Sequence, residues 1–152
     1  RGTGRHCATL WGQFKPGELA TEAERIGYRY NTATIAVERN NHGHAVLVTL
    51  KALHTPRVAI GHDERPGWLT NAQTKPQSID ALAIALRDQL CQVHTTATLD
   101  ELQIYRIDKR GGTGAPDGYN DDRVMSWAIA LMLARRPRPE TLESQSYGYE
   151  SW

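Results

Sequence analysis

This chain predicts an α/β molecule, a sheet with helices packed on its faces, and three observations carry that expectation. Residues 32 to 38 form a short apolar, β-branched run that stops at Glu38, the pattern of a buried strand. Ile79, Leu82, Ala83, Leu86 and Leu90 recur at helical spacing after Pro76, which makes one apolar helix face. Residues 121 to 135 place an almost continuous apolar run behind an acidic pair, which predicts a deeply buried last helix. Strand-like and helix-like segments alternate between these landmarks, as they do when helices cover a sheet.

The elements follow in order. After a Thr3-Gly4 turn, residues 6 to 14 carry Cys7, Ala8, Leu10, Trp11 and Phe14 and read as a strand. Pro16 opens a helix over residues 16 to 30, with Glu18, Glu22 and Glu24 in its early part. Proline suits a first turn whose N–H groups lack partners, and acids suit the positive helix end. Thr32 to Glu38 is the next strand. Gly43 to Leu53 follows as a helix on Val46, Leu47 and Leu50, and Arg57 to Gly61 as a short strand. Residues 62 to 74, with Pro66, Gly67 and Trp68, read as a loop before the helix that Pro76 opens. Cys91 to His94 reads as a strand, Leu99 to Leu102 as a helical turn and Gln103 to Ile107 as a strand. Gly111 to Pro116 reads as a flexible loop, and Asp121 to Arg135 is the last helix. No repeat and no internal boundary interrupts residues 1–136. Residues 137–152, polar and rich in Ser, Glu and Tyr, read as a loose tail.

Composition narrows the function. A length of 152 residues suits one domain with a real core. Mean hydropathy is −0.55 and no apolar run is long enough to span a bilayer. No charged-then-apolar start is visible, which argues against secretion. The net charge of +1 neither requires nor excludes nucleic acid, because local patches decide that. Cys7 and Cys91 cannot build a disulfide framework, which fits a reducing cytosol. His6-Cys7 and Cys91-X-X-His94 lack the second closely spaced pair that a zinc site needs. The glycine run at 111–114 lacks the Gly-Lys-Ser/Thr of a phosphate loop, so no ATP-hydrolysing motif is present.

The carboxylates carry the chemistry. Glu38 stands directly behind Ile35-Ala36-Val37, at the carboxyl end of a strand, where open α/β sheets place their ligands. The polar loop Arg39-Asn40-Asn41-His42-Gly43 that follows is costly to order without a ligand. Asp121 and Asp122 open the last helix. Capping by Asn120 or Asp121 accounts for one acid, while two adjacent carboxylates repel unless a cation lies between them. Glu38, Asp121 and Asp122 are therefore the candidate ligands of a divalent metal, since hard cations take oxygen donors. Arg39, Asn40, Lys75, Lys109 and Arg110 are candidates to grip a phosphate backbone, with Arg135-Arg136-Pro137-Arg138 as further basic surface. His42 and His44 read as surface histidines, and Asp63 and Asp108 as loop acids without supporting context.

Three stretches together resemble the nuclease domain of phage terminase large subunits. They are Ile35-Ala36-Val37-Glu38-Arg39-Asn40-Asn41-His42-Gly43-His44-Ala45-Val46-Leu47, Gly67-Trp68-Leu69-Thr70-Asn71 with Thr74-Lys75-Pro76, and Gly118-Tyr119-Asn120-Asp121-Asp122-Arg123-Val124-Met125. Their order and spacing also look like that family, and the resemblance runs roughly from Thr3 to Arg135. It implies an RNase H-like mixed sheet flanked by helices. It implies an endonuclease with two Mg²⁺ or Mn²⁺ ions that cuts concatemeric double-stranded DNA during viral packaging. Glu38 would be the second catalytic acid and Asp121 or Asp122 the third. The implied partners are a terminase small subunit and the capsid portal, with the host cytoplasm as location and no membrane. Family members often carry His where this chain has Asn120.

Nothing here matches the first catalytic Asp of that family, which lies on its first strand. Residues 6 to 14 look like the third strand, so the sheet is expected to be N-terminally truncated. This chain alone is then expected to cut DNA weakly or not at all. The rival classes are an inactive DNA-binding or assembly fragment, another RNase H-like nuclease such as a junction resolvase, and a small-molecule enzyme with a deep pocket at the Glu38 strand end.

Overall fold

Residues 6–40, 42–107 and 112–134 are described in the computed structural model. Helix α1 (Pro16–Arg29) starts as its sequence dictates. Pro16 fills the first position, and the Glu18 carboxylate accepts the Lys15 N–H at 3.0 Å. Helix α2 (Gly43–Ala52) packs on α1. Ala20 from α1 and Val46 and Leu50 from α2 form one buried core, with Ile35, Val37 and Val58 packed against it.

Beneath α1 and α2 lie three extended segments. Ile35 donates its N–H to the Arg57 carbonyl at 2.8 Å, and Ala59 donates back to Ile35 at 2.8 Å. Trp68 then takes over, donating to the Val37 carbonyl at 2.7 Å and accepting from Arg39 at 2.9 Å. These are parallel bridges, Ile35 to Val58 and Glu38 to Trp68. Gly67 makes the handover possible. Its φ is +84°, and a Cβ there would lie 2.8 Å from the Val37 carbonyl oxygen.

All of these bonds use residues 35, 37 and 39. In extended backbone the intervening residues present their N–H and C=O to the other edge. Among the described residues, no backbone group bonds to Ala36 or to the N–H of Glu38. Among the described residues the Glu38 segment is therefore paired on one side only.

The second core lies around the last helix. Helices α3 (Thr74–Arg87), α4 (Thr96–Ile104) and α5 (Asp122–Ala134) meet there. Leu82, Ala85, Cys91, Val124, Trp127, Ala128 and Leu131 are buried together. A two-residue hairpin pairs β1 (Arg106–Ile107) antiparallel with β2 (Thr113–Gly114).

The start of α5 is capped by a residue far away in sequence. The buried carboxylate of Glu101, on α4, accepts the backbone N–H of Arg123 at 2.8 Å and of Val124 at 3.3 Å, and also pairs with the Arg123 guanidinium. First-turn N–H groups have no partner within the helix, and a carboxylate at that end also suits the helix dipole. Trp11 covers the Arg123 guanidinium at 4.5 Å, a cation–π contact, and His6 stacks on Trp127 with centroids 5.7 Å apart.

Several expected elements are corrected. Residues 6 to 14 form no strand, because no described strand pairs with them; they are held to α5 by Trp11 and His6 instead. The strands expected at 32–38 and 57–61 are reduced to isolated bridges, because the first changes partner from Val58 to Trp68 within four residues. Helix α3 starts at Thr74 rather than Pro76 and ends before Leu90, which is exposed. Asn71 Oδ1 accepts the N–H groups of Gln73 and Thr74, both at 2.9 Å, and this starts the helix early. Residues 91 to 94 form no strand, the helical turn at 99–102 is the longer α4, and the loop at 111–116 contributes β2. The last helix is not buried all round, because Ser126 and Ala130 are exposed. The tail 137–152 lies outside the described residues.

Removing the Glu101 carboxylate would leave the first-turn N–H groups and a half-buried guanidinium without their acceptor. Glu101→Ala is expected to lower the unfolding free energy by about 3 kcal/mol. Urea denaturation reads this, and a loss below ~1 kcal/mol would contradict the capping role.

Candidate functional site

The alternation of the 35–38 segment creates the site. Ile35 and Val37 pack into the α1/α2 core. Ala36 and Glu38 point the other way and line a cavity of about 290 Å³. Thr70, Lys75, Asp121, Asp122, Met125, Ser126 and Ile129 complete its lining. The three carboxylates singled out in the sequence thus share one cavity, although they come from residues more than 80 positions apart. The hollow beside α1 is far smaller, about 10 Å³, room for one water at most.

Glycine sets the height of Glu38. A Cβ at Gly43 would lie 1.7 Å from the Glu38 carbonyl oxygen, an impossible distance. Only glycine lets α2 begin so close to the strand end. The loop between is tied down by its polar residues. Asn40 donates Nδ2 to the Thr70 carbonyl at 2.8 Å, and the Arg39 guanidinium pairs with the Asp63 carboxylate. Arg39 is only 13% exposed in its side chain. Both proposed DNA-gripping residues of this loop therefore also brace it. The hydrogen bond from Arg39 holds the Asp63 carboxyl below the usual carboxylate range.

Lys75 and Asp121 form an ion pair inside the cavity, with Nζ 3.3 Å from Oδ2, and both side chains are about three-quarters buried. The start of α3 places Lys75. Its own N–H donates to Asn71 at 3.0 Å, and the Thr74 hydroxyl donates to the Leu69 carbonyl at 2.8 Å. Gly114 backs the pair from β2, where a Cβ would lie 3.2 Å from Asp121 Oδ2 and 3.5 Å from Lys75 Nζ. Tyr105 stands close by. Burial pushes its phenol above the ordinary value; Thr113 and Lys75 oppose this, and Asp121 adds to it.

Because Glu101 caps α5, the Asp121 side chain is not used as a cap; it contributes only its backbone carbonyl, to Met125 N–H at 2.9 Å. Its carboxylate is left for Lys75. Asp122 lines the same cavity and is exposed.

The donor set suits a hard divalent cation in kind, three carboxylates and a threonine whose buried Oγ1 has no hydrogen-bond partner. It does not close around one. Among the described residues no three His, Cys, Asp or Glu side chains stand close enough to hold an ion. The same finding leaves the His6, Cys7, Cys91 and His94 combination without a zinc site. His42 and His44 are exposed and do not line the cavity. Lys109, Arg110 and Asp108 lie outside the described residues. Thr70, Tyr105 and Gly114 are site residues that sequence reasoning did not single out. Thr70 stood within a quoted stretch, but neither Tyr105 nor Gly114 carries any local signal.

An α/β fold with an acidic cavity beneath one sheet edge is thus the class of molecule. No family model matches the chain, and no curated protein matches it in sequence. Among solved structures, the chain is similar to the large terminase nuclease of the thermophilic phage G20c, determined with bound cobalt. The TM-score is 0.62 at 21% identity, over 77% of this chain and 61% of that one. The chain thus has the fold of a phage large terminase nuclease and spans about three-fifths of that chain's length. Among the described residues no helix is long and apolar enough to cross a membrane.

Two outcomes are expected here. Gly43→Ala is expected to cost about 2 kcal/mol or more of stability by forcing the α2 start off the Glu38 carbonyl; an unchanged urea midpoint would contradict the close approach. For Asp63, the folded-state pKa lies below the ordinary one. Its pairing therefore stabilises fully above the ordinary value and is lost as pH falls through the depressed one. Asp63→Asn is expected to be less stable than the parent at neutral pH, with the two urea midpoints converging as pH falls through the depressed value. A gap that persists in acid would show that the carboxylate charge is not the cause.

Proposed function

We propose that this chain is the nuclease domain of a viral DNA-packaging terminase, an RNase H-like hydrolase that cuts double-stranded DNA with divalent metal ions. One observation carries the reading. Glu38, Asp121 and Asp122 line a single cavity in a fold shared with a phage terminase nuclease. That neighbour's bound cobalt supports a divalent ion here, with Mg²⁺ or Mn²⁺ as the working ions. Glu38, Asp121 and Asp122 would hold them. When bound, such ions activate water and stabilise the leaving oxygen of a phosphodiester.

The chain's own residues do the rest. Arg39 and Asn40 fix the loop that carries Glu38, and Lys75 offers positive charge at the cavity wall. Lys109 and Arg110, with Lys75, would hold the backbone without reading bases, which makes binding salt-sensitive and indifferent to sequence. A terminase small subunit, the capsid portal and a host-cytoplasm location belong to the same proposal.

The edge at Ala36 and Glu38, unpaired among the described residues, bears on activity. A further strand there would satisfy the bare backbone groups and wall the cavity on its unlined side. Among the described residues the ligand set does not close. The second reading, an inactive DNA-binding or assembly module, is favoured by that same lack of closure.

Calorimetric titration with Mn²⁺ separates the two. Binding that is lost in Glu38→Gln is expected for the nuclease, and no binding at millimolar Mn²⁺ would leave the inactive module. Supercoiled plasmid with Mn²⁺ is expected to be nicked weakly or not at all. Robust cutting, abolished by Glu38→Ala, would overturn the claim that the site is incomplete.

A further inference from the structure

We propose that Lys75 is an exchangeable counter-cation of the acidic wall, holding Asp121 until a divalent ion displaces it. The inference deepens the function proposed above and rests on it for the identity of the incoming ion.

Adjacent carboxylates such as Asp121 and Asp122 raise each other's energy unless positive charge lies close. In this chain the ammonium of Lys75 supplies that charge, 3.3 Å from Asp121 Oδ2. The pairing is built rather than incidental. The Asn71 and Thr74 hydrogen bonds fix the backbone of Lys75 in the first turn of α3. Glu101 takes the capping duty that would otherwise compete for the Asp121 carboxylate. Gly114 leaves room on the far side, since a Cβ there would crowd Asp121 Oδ2 at 3.2 Å and touch Lys75 Nζ at 3.5 Å.

Charge counting gives the direction of the exchange. Three carboxylates and one ammonium line the cavity, a net charge of −2 (three negative charges less one positive). A divalent ion in place of the ammonium brings it to −1 (three negative charges less two positive), closer to balance than lysine does. An ion on Asp121 would stand a few ångströms from the Lys75 ammonium that pairs with the same carboxylate, and two cations so close repel. Lys75 has the means to leave. Its charge sits on a flexible four-carbon stem, and its side chain is 30% exposed. The lysine therefore competes with metal for Asp121, lowering affinity while keeping the empty wall from repelling itself.

The test is Mn²⁺ binding, read by calorimetry and by the Mn²⁺-dependent rise in Tm, on the full 152-residue chain. Lys75→Met removes the competitor and keeps the stem's bulk. It is expected to bind Mn²⁺ on the order of tenfold more tightly than the parent, with a correspondingly larger rise in Tm. Lys75→Arg keeps the charge and is expected to stay near the parent. Equal or weaker Mn²⁺ binding by a folded Lys75→Met overturns the proposal. So does an equal gain in Lys75→Arg, since charge would then not be the cause. The two readings fail separately. A gain in Lys75→Met together with Mn²⁺ binding that Glu38→Gln leaves intact sinks the nuclease reading and leaves the exchange standing.

Discussion

The strict alternation of residues 35 to 38 is the constraint on which the rest depends. Period-two geometry sends Ile35 and Val37 into the α1/α2 core and Ala36 and Glu38 to the opposite face. A slip of one residue would bury the carboxylate of Glu38 among Ala20, Val46 and Leu50 and expose two apolar side chains. Burial of an unpaired carboxylate is so costly that this register has no competitor. The apolar core thereby fixes the position of an acid that takes no part in it.

The last helix meets the same problem from the other side. Its apolar residues must be covered, and Val124, Met125, Trp127, Ala128, Ile129 and Leu131 are buried. That burial fixes its N-terminus against the cavity, where first-turn N–H groups need an acceptor. Glu101 supplies it from α4. The consequence is chemical as well as structural. An Asp at the start of a helix ordinarily spends its carboxylate on capping; here Asp121 keeps its own for Lys75 and the cavity. Packing, capping and site electrostatics are one arrangement, in which each residue's role follows from what its neighbour has already satisfied.

Much of the helical framework was legible in the sequence. Pro16 and the early acids marked α1, helical spacing marked α2 and α3, and the continuous apolar run marked α5, because those signals are local. Glu38 was legible because an acid that ends an apolar strand is out of place, and the Asp121–Asp122 pair because repulsion asks for a cation. The failures share one cause, dependence on distant partners. Residues 6 to 14 have the composition of a strand, but no described strand pairs with them; Trp11 packs on the Arg123 guanidinium and His6 on the Trp127 ring instead. Glu101 sits among ordinary helix residues, and nothing near it announces that it caps another helix. Lys75 read only as a residue to grip phosphate, since only the folded chain brings it to Asp121. Arg39 and Asn40 likewise read as groups for a phosphate backbone, while Asp63 and Thr70, 24 and 30 residues away, engage them.

The acidic cavity as a cation site is the central claim, and paramagnetic relaxation tests it most directly. Substoichiometric Mn²⁺ would be added to the isotopically labelled chain, with loss of amide NMR signals followed along the backbone. The expected result is early, selective loss around Ala36 to Arg39, Thr70 to Lys75 and Asp121 to Ser126, with α1 unaffected. Loss centred on the exposed histidines at 42 and 44, or spread evenly over the surface, would contradict it.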